Sequence, residues 1–147
     1  MIVWRLTTAP FADLAGEGAR IAGGRWNSPG RPLVYAADSP ALAILETRVH
    51  LDLPFDLLPD NYVLMQIDTH DISFDQLPLP SNPDDCRING DQWLAKLHTA
   101  VLRVPSVIIP ICHNILINPR HPDAHAVSIV AVEPYQFDQR LWANGAS

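Results

Sequence analysis

The chain has 147 residues, of which 48% are hydrophobic and 18% are charged, and its formal net charge is −6. This length and composition indicate one folded domain and exclude a disordered chain. The negative charge argues against a nucleic-acid-binding surface, and no apolar run approaches the length of a membrane span. With no signal peptide and only two well-separated cysteines, the sequence predicts a cytoplasmic protein.

The first half of the chain predicts one strand and one helix. Ile2–Leu6 is predicted as an opening strand. The helix is predicted to begin at Ser39 and Pro40, because serine is a favoured cap and proline a favoured first helical residue. It is predicted to run to about His50. Apolar residues at helical spacing predict its buried face: Leu42, Leu45 and Val49.

The second half predicts more strands than helices. Residues 76–90 are rich in Pro, Asn and Asp and predict a loop, followed by a helix over Asp91–Leu102. The buried side of that helix is predicted to contain Trp93, Leu94, Leu97 and Val101. Strands are predicted at Tyr62–Ile67, Val107–Cys112, Ile115–Ile117 and Val127–Val132, with PYQFDQRLW as a last edge element before a polar end at 144–147. Because strands and helices do not alternate and no linker appears, the sequence favours a single α+β domain over residues 1–147.

The segment from Gly23 to Glu46 places an arginine, two aromatic residues and a carboxylate on successive elements. Glu46 lies at the edge of the apolar stripe of the predicted helix, so its carboxylate is predicted to face the interior or a cleft. A buried carboxylate is unfavourable without partners, which makes Glu46 a candidate catalytic residue. The alternative is a surface glutamate that pairs along the helix with His50.

Arginine and aromatic side chains supply candidate binding groups. Arg25 follows a glycine pair, and its guanidinium suits a pyrophosphate clamped through two parallel hydrogen bonds, or else stacks on Trp26. Trp26 itself is predicted to pack in the core. Arg5 is the only charged residue of the opening strand and is either a phosphate or ribose ligand or a solvent-facing side chain. Tyr35 offers a flat face for a nicotinamide or adenine ring and a hydroxyl handle, or packs as a core residue.

Polar residues in the second half have stronger structural alternatives. Ser106 lies in VPSVIIP, where local hydrogen bonding is the main alternative and the GxSxG elbow of a serine hydrolase is absent. Asn118 opens a rigid loop, NPRHP, that either borders a pocket or forms a turn. His121 and His125, with Asp123 between them, suggest a metal site, but nearby prolines disfavour the helix that would bring the two histidines together. No metal is therefore expected.

The stretch GGRWNSPGRPLVYAADSPALAILETRVH, with LRVPSVIIP and NILINPRHP after it, resembles the RES-domain family, the toxins of bacterial Xre–RES toxin–antitoxin modules. The resemblance covers nearly the whole chain, and the joint occurrence of these blocks is specific. It implies an α+β fold similar to that of ADP-ribosyltransferase toxins, with a split, mostly antiparallel sheet and flanking helices around an NAD cleft. By motif, the Arg, Glu and Ser that name the family fall on Arg25, Glu46 and Ser106.

The resemblance also implies an activity with NAD as the substrate. Members of the family break the nicotinamide–ribose bond by hydrolysis or phosphorolysis, and some transfer ADP-ribose to a protein. Arg5, Tyr35 and Asn118 match family positions and become candidates for NAD binding. Related transferases that modify arginine often carry an acidic or amide residue where this chain has Ile44. NAD breakdown is therefore favoured over transfer to a protein arginine.

The implied partner is an Xre-type helix-turn-helix antitoxin that blocks the cleft and forms a hetero-oligomer with the toxin. Any DNA contact then belongs to the antitoxin, which agrees with the net charge of −6. A non-catalytic binding subunit is a less favoured alternative, because Arg25, Tyr35 and Glu46 are all present.

Overall fold

A seven-stranded sheet forms the centre of the protein in a computed structural model that describes residues 1–143. The strands are β1 (Ile2–Thr8), β2 (Val34–Ala37), β3 (Tyr62–Asp68), β4 (Phe74–Gln76), β5 (Val101–Pro105), β6 (His113–Ile117) and β7 (Ser128–Pro134). The helices are α1 (Glu17–Ala22), α2 (Pro40–Val49) and α3 (Asp85–Lys96). The strand order is β4-β5-β6-β2-β1-β3-β7, and neighbouring strands are antiparallel except β4 and β5. This arrangement confirms the predicted α+β class, and the predicted polar end lies outside the described residues.

The sheet is nearly split between β1 and β2. β1 pairs with β3 along its whole length, and β2 pairs with β6 along its whole length. β1 and β2 themselves pair only at Trp4 and Ala37. Beyond that point the two halves diverge, and their backbone polar groups face a gap instead of a partner strand. This gap is where the cleft described below opens.

Apolar side chains fill both faces of the sheet, because alternate residues of a strand point to opposite sides. Val101 and Ile115 pack in one buried cluster, whereas Leu102 and Leu116 pack in another. The second cluster also holds residues of α3 and of the loop after α1, namely Trp26, Cys86, Trp93 and Leu94. α3 and that loop therefore pack together over one face of the sheet.

The predicted helix start of α2 is confirmed. The Oγ of Ser39 accepts a hydrogen bond from the Leu42 N–H at 3.1 Å, and Pro40 occupies the first turn. The predicted buried face is only partly right, because Leu42 and Ala43 are buried whereas Val49 is 51% exposed. The buried stripe ends within the first half of the helix, since the second half borders the cleft.

The second predicted helix begins too late and ends too late. α3 spans Asp85–Lys96, so the predicted loop over 76–90 and the predicted helix over Asp91–Leu102 are both wrong in part. Leu97 caps the helix in the left-handed backbone region, with φ of 55°, and is 46% exposed. Val101 is buried as predicted, but in β5.

Gly90 is the residue that obscures the true start of α3. Glycine is a poor helix former, and the Asn-Gly pair at 89–90 predicts a turn. In the structure Gly90 lies inside the helix. The position requires glycine because a Cβ there would come within 1.8 Å of the Trp26 carbonyl oxygen. A tertiary contact therefore overrides the local signal.

Val107–Cys112 is a turn and not the predicted strand. The Oγ of Ser106 accepts hydrogen bonds from the backbone N–H groups of Ile108 and Ile109, each at 3.1 Å, and these bonds fold the chain back. Ile111 is 88% exposed. A serine that captures nearby backbone donors has outweighed the strand preference of the apolar residues.

The other predicted strands are confirmed with small shifts in their ends, while α1, β2, β4 and β5 are not predicted. The predicted edge element after β7 is instead an aromatic cluster. The rings of Tyr135 and Phe137 meet edge to face, as do those of Phe137 and Trp142. The Arg48 guanidinium lies 4.0 Å from the centroid of the Trp142 ring. Within residues 1–143, no helix is long and apolar enough to cross a membrane.

Candidate active site

A cleft of about 450 Å³ opens where β1 and β2 diverge. This volume falls in the range of small-molecule and cofactor pockets. Four of the predicted site residues line it, namely Arg5, Arg25, Tyr35 and Glu46. Other lining residues include Trp26, Thr47, His50 and Asn114. The cleft therefore collects side chains from β1, β2, α2, β6 and the loop after α1.

Glu46 lies on α2, and its Oε1 accepts two hydrogen bonds from outside the helix. The Oγ of Ser106 donates at 2.7 Å and the Nδ2 of Asn114 donates at 2.9 Å. These contacts hold the carboxylate toward the sheet and disfavour the alternative of a surface glutamate paired with His50. Because both bonds end on Oε1, Oε2 is the oxygen that a ligand in the cleft can approach.

Ser106 is fully buried and uses its whole hydrogen-bonding capacity. A hydroxyl has one donor and two acceptor lone pairs. The proton of Ser106 goes to Glu46, and the lone pairs accept from the N–H groups of Ile108 and Ile109. Ser106 therefore acts on the cleft through Glu46, and the same atom shapes the turn after β5.

Arg5 occupies the gap between the diverging strands. Its Nη1 donates to the backbone carbonyl of Tyr35 at 3.0 Å, which replaces a missing ladder bond between β1 and β2. Burial lowers the pKa of the Arg5 guanidinium, and the charge of Asp13 partly opposes this effect. Within residues 1–143 the buried Nε of Arg5 has no hydrogen-bond partner. Arg5 therefore lines the cleft, although its Nε itself is enclosed by the protein.

A tight turn presents Arg25 to the cleft. The N–H of Gly24 donates to the carbonyl of Asn27 at 3.0 Å, so Arg25 and Trp26 occupy the tip. Trp26 is buried, as predicted, whereas Arg25 is exposed. Burial raises the pKa of the Cys86 thiol and the neighbouring Arg25 guanidinium partly opposes this rise, which places the cation beside α3.

The buried amide of Asn27 fixes the turn from within. Its Nδ2 donates to the carbonyls of Ala19 at 2.8 Å and Arg31 at 2.9 Å. The Tyr35 hydroxyl donates to Asn27 Oδ1 at 2.7 Å and accepts from the Trp26 N–H at 2.9 Å. Burial raises the pKa of the Tyr35 phenol, so it stays neutral. The hydroxyl therefore stabilises the turn through its two hydrogen bonds, and the ring is the part of Tyr35 that a ligand can contact.

Asn118 is the predicted binding residue that the structure does not bring to the cleft. It is buried just after β6, where its Nδ2 donates to the Leu94 carbonyl at 3.4 Å and its Oδ1 accepts from the Arg120 N–H at 3.0 Å. It borders a smaller hollow that also contains Arg31 and Pro32. These contacts account for Asn118 as a turn residue, which is the alternative raised by the sequence.

The His-rich loop is held by contacts other than metal coordination. His121 Nε2 lies 2.9 Å from the Leu97 carbonyl, and its Nδ1 accepts from the Asp123 N–H at 3.0 Å. His125 contacts the Pro122 carbonyl. Among residues 1–143, no group of three or more His, Cys, Asp or Glu side chains is placed to hold a metal ion.

Sequence reasoning misses two amide residues of the site, Asn27 and Asn114. Asn114 precedes the predicted strand Ile115–Ile117, and the period of two places it on the face of Leu116. A polar residue at the inward-facing start of an apolar strand is the available signal. Asn27 lies between Trp26 and a Ser-Pro-Gly turn, so nothing local distinguishes it from an ordinary loop residue.

Comparison with known proteins gives a family match and close relatives. The chain matches the RES domain model over residues 2–138. It is 40% identical over 148 residues to "Toxin Res" of Pseudomonas putida, with 97% of this chain and 100% of that protein covered. It is also 40% identical over 154 residues to the "Prs ADP-ribosylating toxin" of Sphingobium sp., with 94% of each covered.

The fold is similar to that of a chain in the crystal structure of the M. tuberculosis MbcT–MbcA toxin–antitoxin complex. The TM-score is 0.74 at 23% sequence identity, with 92% of this chain and 84% of that chain covered. At this identity the likeness establishes a shared fold.

Proposed function

This chain belongs to the RES-domain family, and from that premise we propose that it is the toxin of a toxin–antitoxin module and degrades NAD. The proposed reaction breaks the bond between nicotinamide and ribose and passes ADP-ribose to water or phosphate. The main support is the Glu46 carboxylate, which Ser106 and Asn114 hold on one oxygen at the wall of a cleft that two arginines also line.

The chemistry needs one well-placed carboxylate. Cleavage of a glycosidic bond generates positive charge on the sugar in an oxocarbenium-like transition state. The Glu46 carboxylate would stabilise that charge, and its Oε2 would accept from a ribose hydroxyl. Nicotinamide leaves as a neutral molecule, so a general acid is not required. Because Ser106 and Asn114 orient the carboxylate before substrate binds, little reorganisation accompanies the reaction.

The arginines suit the pyrophosphate of the same substrate. A guanidinium binds phosphate oxygens through parallel hydrogen bonds, and Arg25 is exposed at the tip of its turn. Arg5 adds a second guanidinium at the cleft wall. Binding energy from the pyrophosphate would then orient the reacting ribose toward Glu46. The Tyr35 ring would contact the nicotinamide.

Transfer of ADP-ribose to a protein is the second candidate, because a relative at 40% identity is named an ADP-ribosylating toxin. The residue at position 44 bears on the choice. Ile44 packs in an apolar cluster with Leu6, Tyr62 and Phe137. It therefore offers no polar group to an arginine acceptor, which supports NAD breakdown as the first candidate.

An antitoxin partner follows from the same premise, since a free enzyme of this kind would poison its own cell. A similar fold occurs in a solved toxin–antitoxin complex. The Xre type of antitoxin is proposed from the family resemblance, with DNA contact left to that partner because this chain carries a net charge of −6.

Release of nicotinamide from NAD tests the proposed function. Purified protein is incubated with NAD in the presence and absence of phosphate, and the products are separated by chromatography. Release without phosphate indicates hydrolysis, and release only with phosphate indicates phosphorolysis. No release under either condition would rule out NAD breakdown.

Labelled NAD incubated with a cell extract tests the second candidate. A protein-bound label that disappears with Glu46→Gln would favour transfer. Glu133→Gln is the matched control, because it makes the same change on an exposed residue of β7.

A further inference from the structure

One side of α3 lies directly against the turn that carries Arg25. We call residues 24–28 the Arg25 turn. The residues of α3 that approach it recur at helical spacing and are Cys86, Arg87, Gly90 and Asp91. The segment around the start of α3 carries no family motif, yet it forms the outer support of a residue placed in the cleft.

Two charged residues of α3 hold the two ends of the Arg25 turn. The Nε and Nη2 of Arg87 both donate to the Gly24 carbonyl at 3.2 Å. Asp91 accepts from the N–H of Ser28 at 2.9 Å and from its Oγ at 2.5 Å. Arg25 lies between these anchored ends. The hydrogen bonds with Arg87 and Asp91 therefore restrict the position of the Arg25 backbone, although the Arg25 side chain is exposed.

The middle of the Arg25 turn touches the backbone of α3 itself. A Cβ at Gly90 would come within 1.8 Å of the Trp26 carbonyl oxygen, so only glycine allows the helix to come this close. On the other side, a Cβ at Gly24 would come within 2.6 Å of the Tyr35 hydroxyl oxygen. The turn is enclosed between α3 and β2, so a shift of α3 moves the turn with it.

We propose that Arg87 and Asp91 are positioning residues that set the place of the Arg25 guanidinium in the cleft and thereby control the affinity for NAD. This inference rests on the proposed function. A guanidinium binds a pyrophosphate bidentately only when its plane and distance fit, so an error in the backbone of Arg25 reduces affinity without removing the cation. Arg87 acts through Arg25 in this scheme and does not touch NAD.

A double-mutant cycle tests whether Arg87 acts through Arg25. Affinity for NAD is measured by titration calorimetry in the full-length Glu46→Gln protein, which does not consume the ligand. Arg87→Met keeps the length of the side chain and removes both donors. We expect it to weaken NAD binding about tenfold, and to weaken it by less than about twofold when Arg25→Ala is already present.

Conservative and control variants accompany the cycle. Arg87→Lys keeps one donor for the Gly24 carbonyl but loses the two-nitrogen contact of the guanidinium. We therefore expect its affinity for NAD to lie between those of wild type and Arg87→Met. Asp91→Asn retains an acceptor for the Ser28 N–H and loses the charge, and we expect a loss of about threefold. Ile88→Ala is the control, since Ile88 is 55% exposed on the same helix, and the affinity stays unchanged.

Two results would overturn the inference. An unchanged affinity in both Arg87→Met and Asp91→Asn would show that α3 does not set the position of Arg25. An equal loss from Arg87→Met with and without Arg25 would show that Arg87 binds NAD itself. The proposed function fails separately, if wild-type protein binds NAD but releases no nicotinamide. If wild-type protein neither binds NAD nor releases nicotinamide, both proposals fail.

Discussion

The two sides of the cleft are held in different ways. On the carboxylate side, the reactive group itself is bound, because Ser106 and Asn114 donate directly to Glu46 Oε1. On the arginine side, the backbone is bound instead, because Asn27, Tyr35 and α3 fix the turn while the Arg25 guanidinium stays exposed.

This difference matches the two tasks that the proposed reaction sets. A group that stabilises developing charge is most effective when it is already oriented, since reorientation during the reaction would raise the barrier. A group that binds a dinucleotide gains affinity when the backbone that carries it is already held in place. The predictions below test this contrast, from the largest expected effect to the smallest.

Glu46→Gln is expected to have the largest effect on turnover. Glutamine still accepts from Ser106 and Asn114, so the melting temperature stays nearly unchanged, but the charge that stabilises the sugar cation is lost. We expect nicotinamide release to fall by about a hundredfold to a thousandfold. Product chromatography and calorimetric melting measure the two quantities. Wild-type turnover in the variant would make Glu46 a structural residue.

Arg25→Ala should act on binding more than on turnover. Hydrogen bonds to charged groups contribute about 1.5–3 kcal/mol each, so we expect KM for NAD to rise by about tenfold to a hundredfold. Steady-state kinetics gives KM and kcat separately. Arg140→Ala serves as the control, because Arg140 is exposed in the tail and pairs with Asp138. A fall in kcat without a rise in KM would contradict the binding role.

Ser106→Ala and Asn114→Ala separate the two donors on Glu46 Oε1. Each variant removes one hydrogen bond to the carboxylate, and we expect turnover to fall about tenfold in both. Only Ser106→Ala also leaves the backbone N–H groups of Ile108 and Ile109 without their acceptor. That loss is expected to lower the free energy of unfolding by about 1–3 kcal/mol, measured by denaturant titration. Equal stability of the two variants would contradict this distinction.

Tyr35→Phe is expected to have the smallest effect on activity, below about threefold, because the ring that faces the cleft remains. The variant loses the bonds to Asn27 and Trp26, so its free energy of unfolding falls by about 1–3 kcal/mol. Turnover that falls about tenfold, as expected for Ser106→Ala, would show that the hydroxyl itself takes part.

The same variant gives a pH test. Burial raises the folded-state pKa of the Tyr35 phenol above its ordinary value of 10.0. The unfolded chain therefore loses the phenol proton first, and the stabilising effect of protonated Tyr35 is complete below pH 10 and declines above it. The stability difference between wild type and Tyr35→Phe should be constant below pH 10 and should narrow above it. A constant difference at higher pH would contradict the shift.

Local signals predict the elements whose stability is local. Ser39 and Pro40 identify the start of α2 because capping depends on neighbouring residues alone. The same logic fails at Gly90, where contact with Trp26 sets the helix, and after Ser106, where one hydroxyl bends an apolar segment into a turn. At Gly90 the deciding contact comes from a residue far along the chain, whereas after Ser106 it is local but outweighed in the prediction by the strand preference of the apolar residues.

The candidate site likewise contains some residues that the sequence predicts and others that it misses. The resemblance to the family identifies Arg25, Glu46 and Ser106, and the structure places Ser106 against Glu46. Asn114 and Asn27 are missed because an isolated asparagine carries no sign of its partners. Asn118 lies outside the cleft, since a motif match names a residue without showing where its side chain is used.

The distance along the chain between Glu46 and its two donors has a consequence for synthesis. Ser106 and Asn114 follow Glu46 by 60 and 68 residues. A nascent chain on the ribosome therefore holds the carboxylate long before it holds either donor. The two hydrogen bonds to Glu46 cannot form until β6 has left the exit tunnel, and a truncated product that ends before Ser106 would lack both donors.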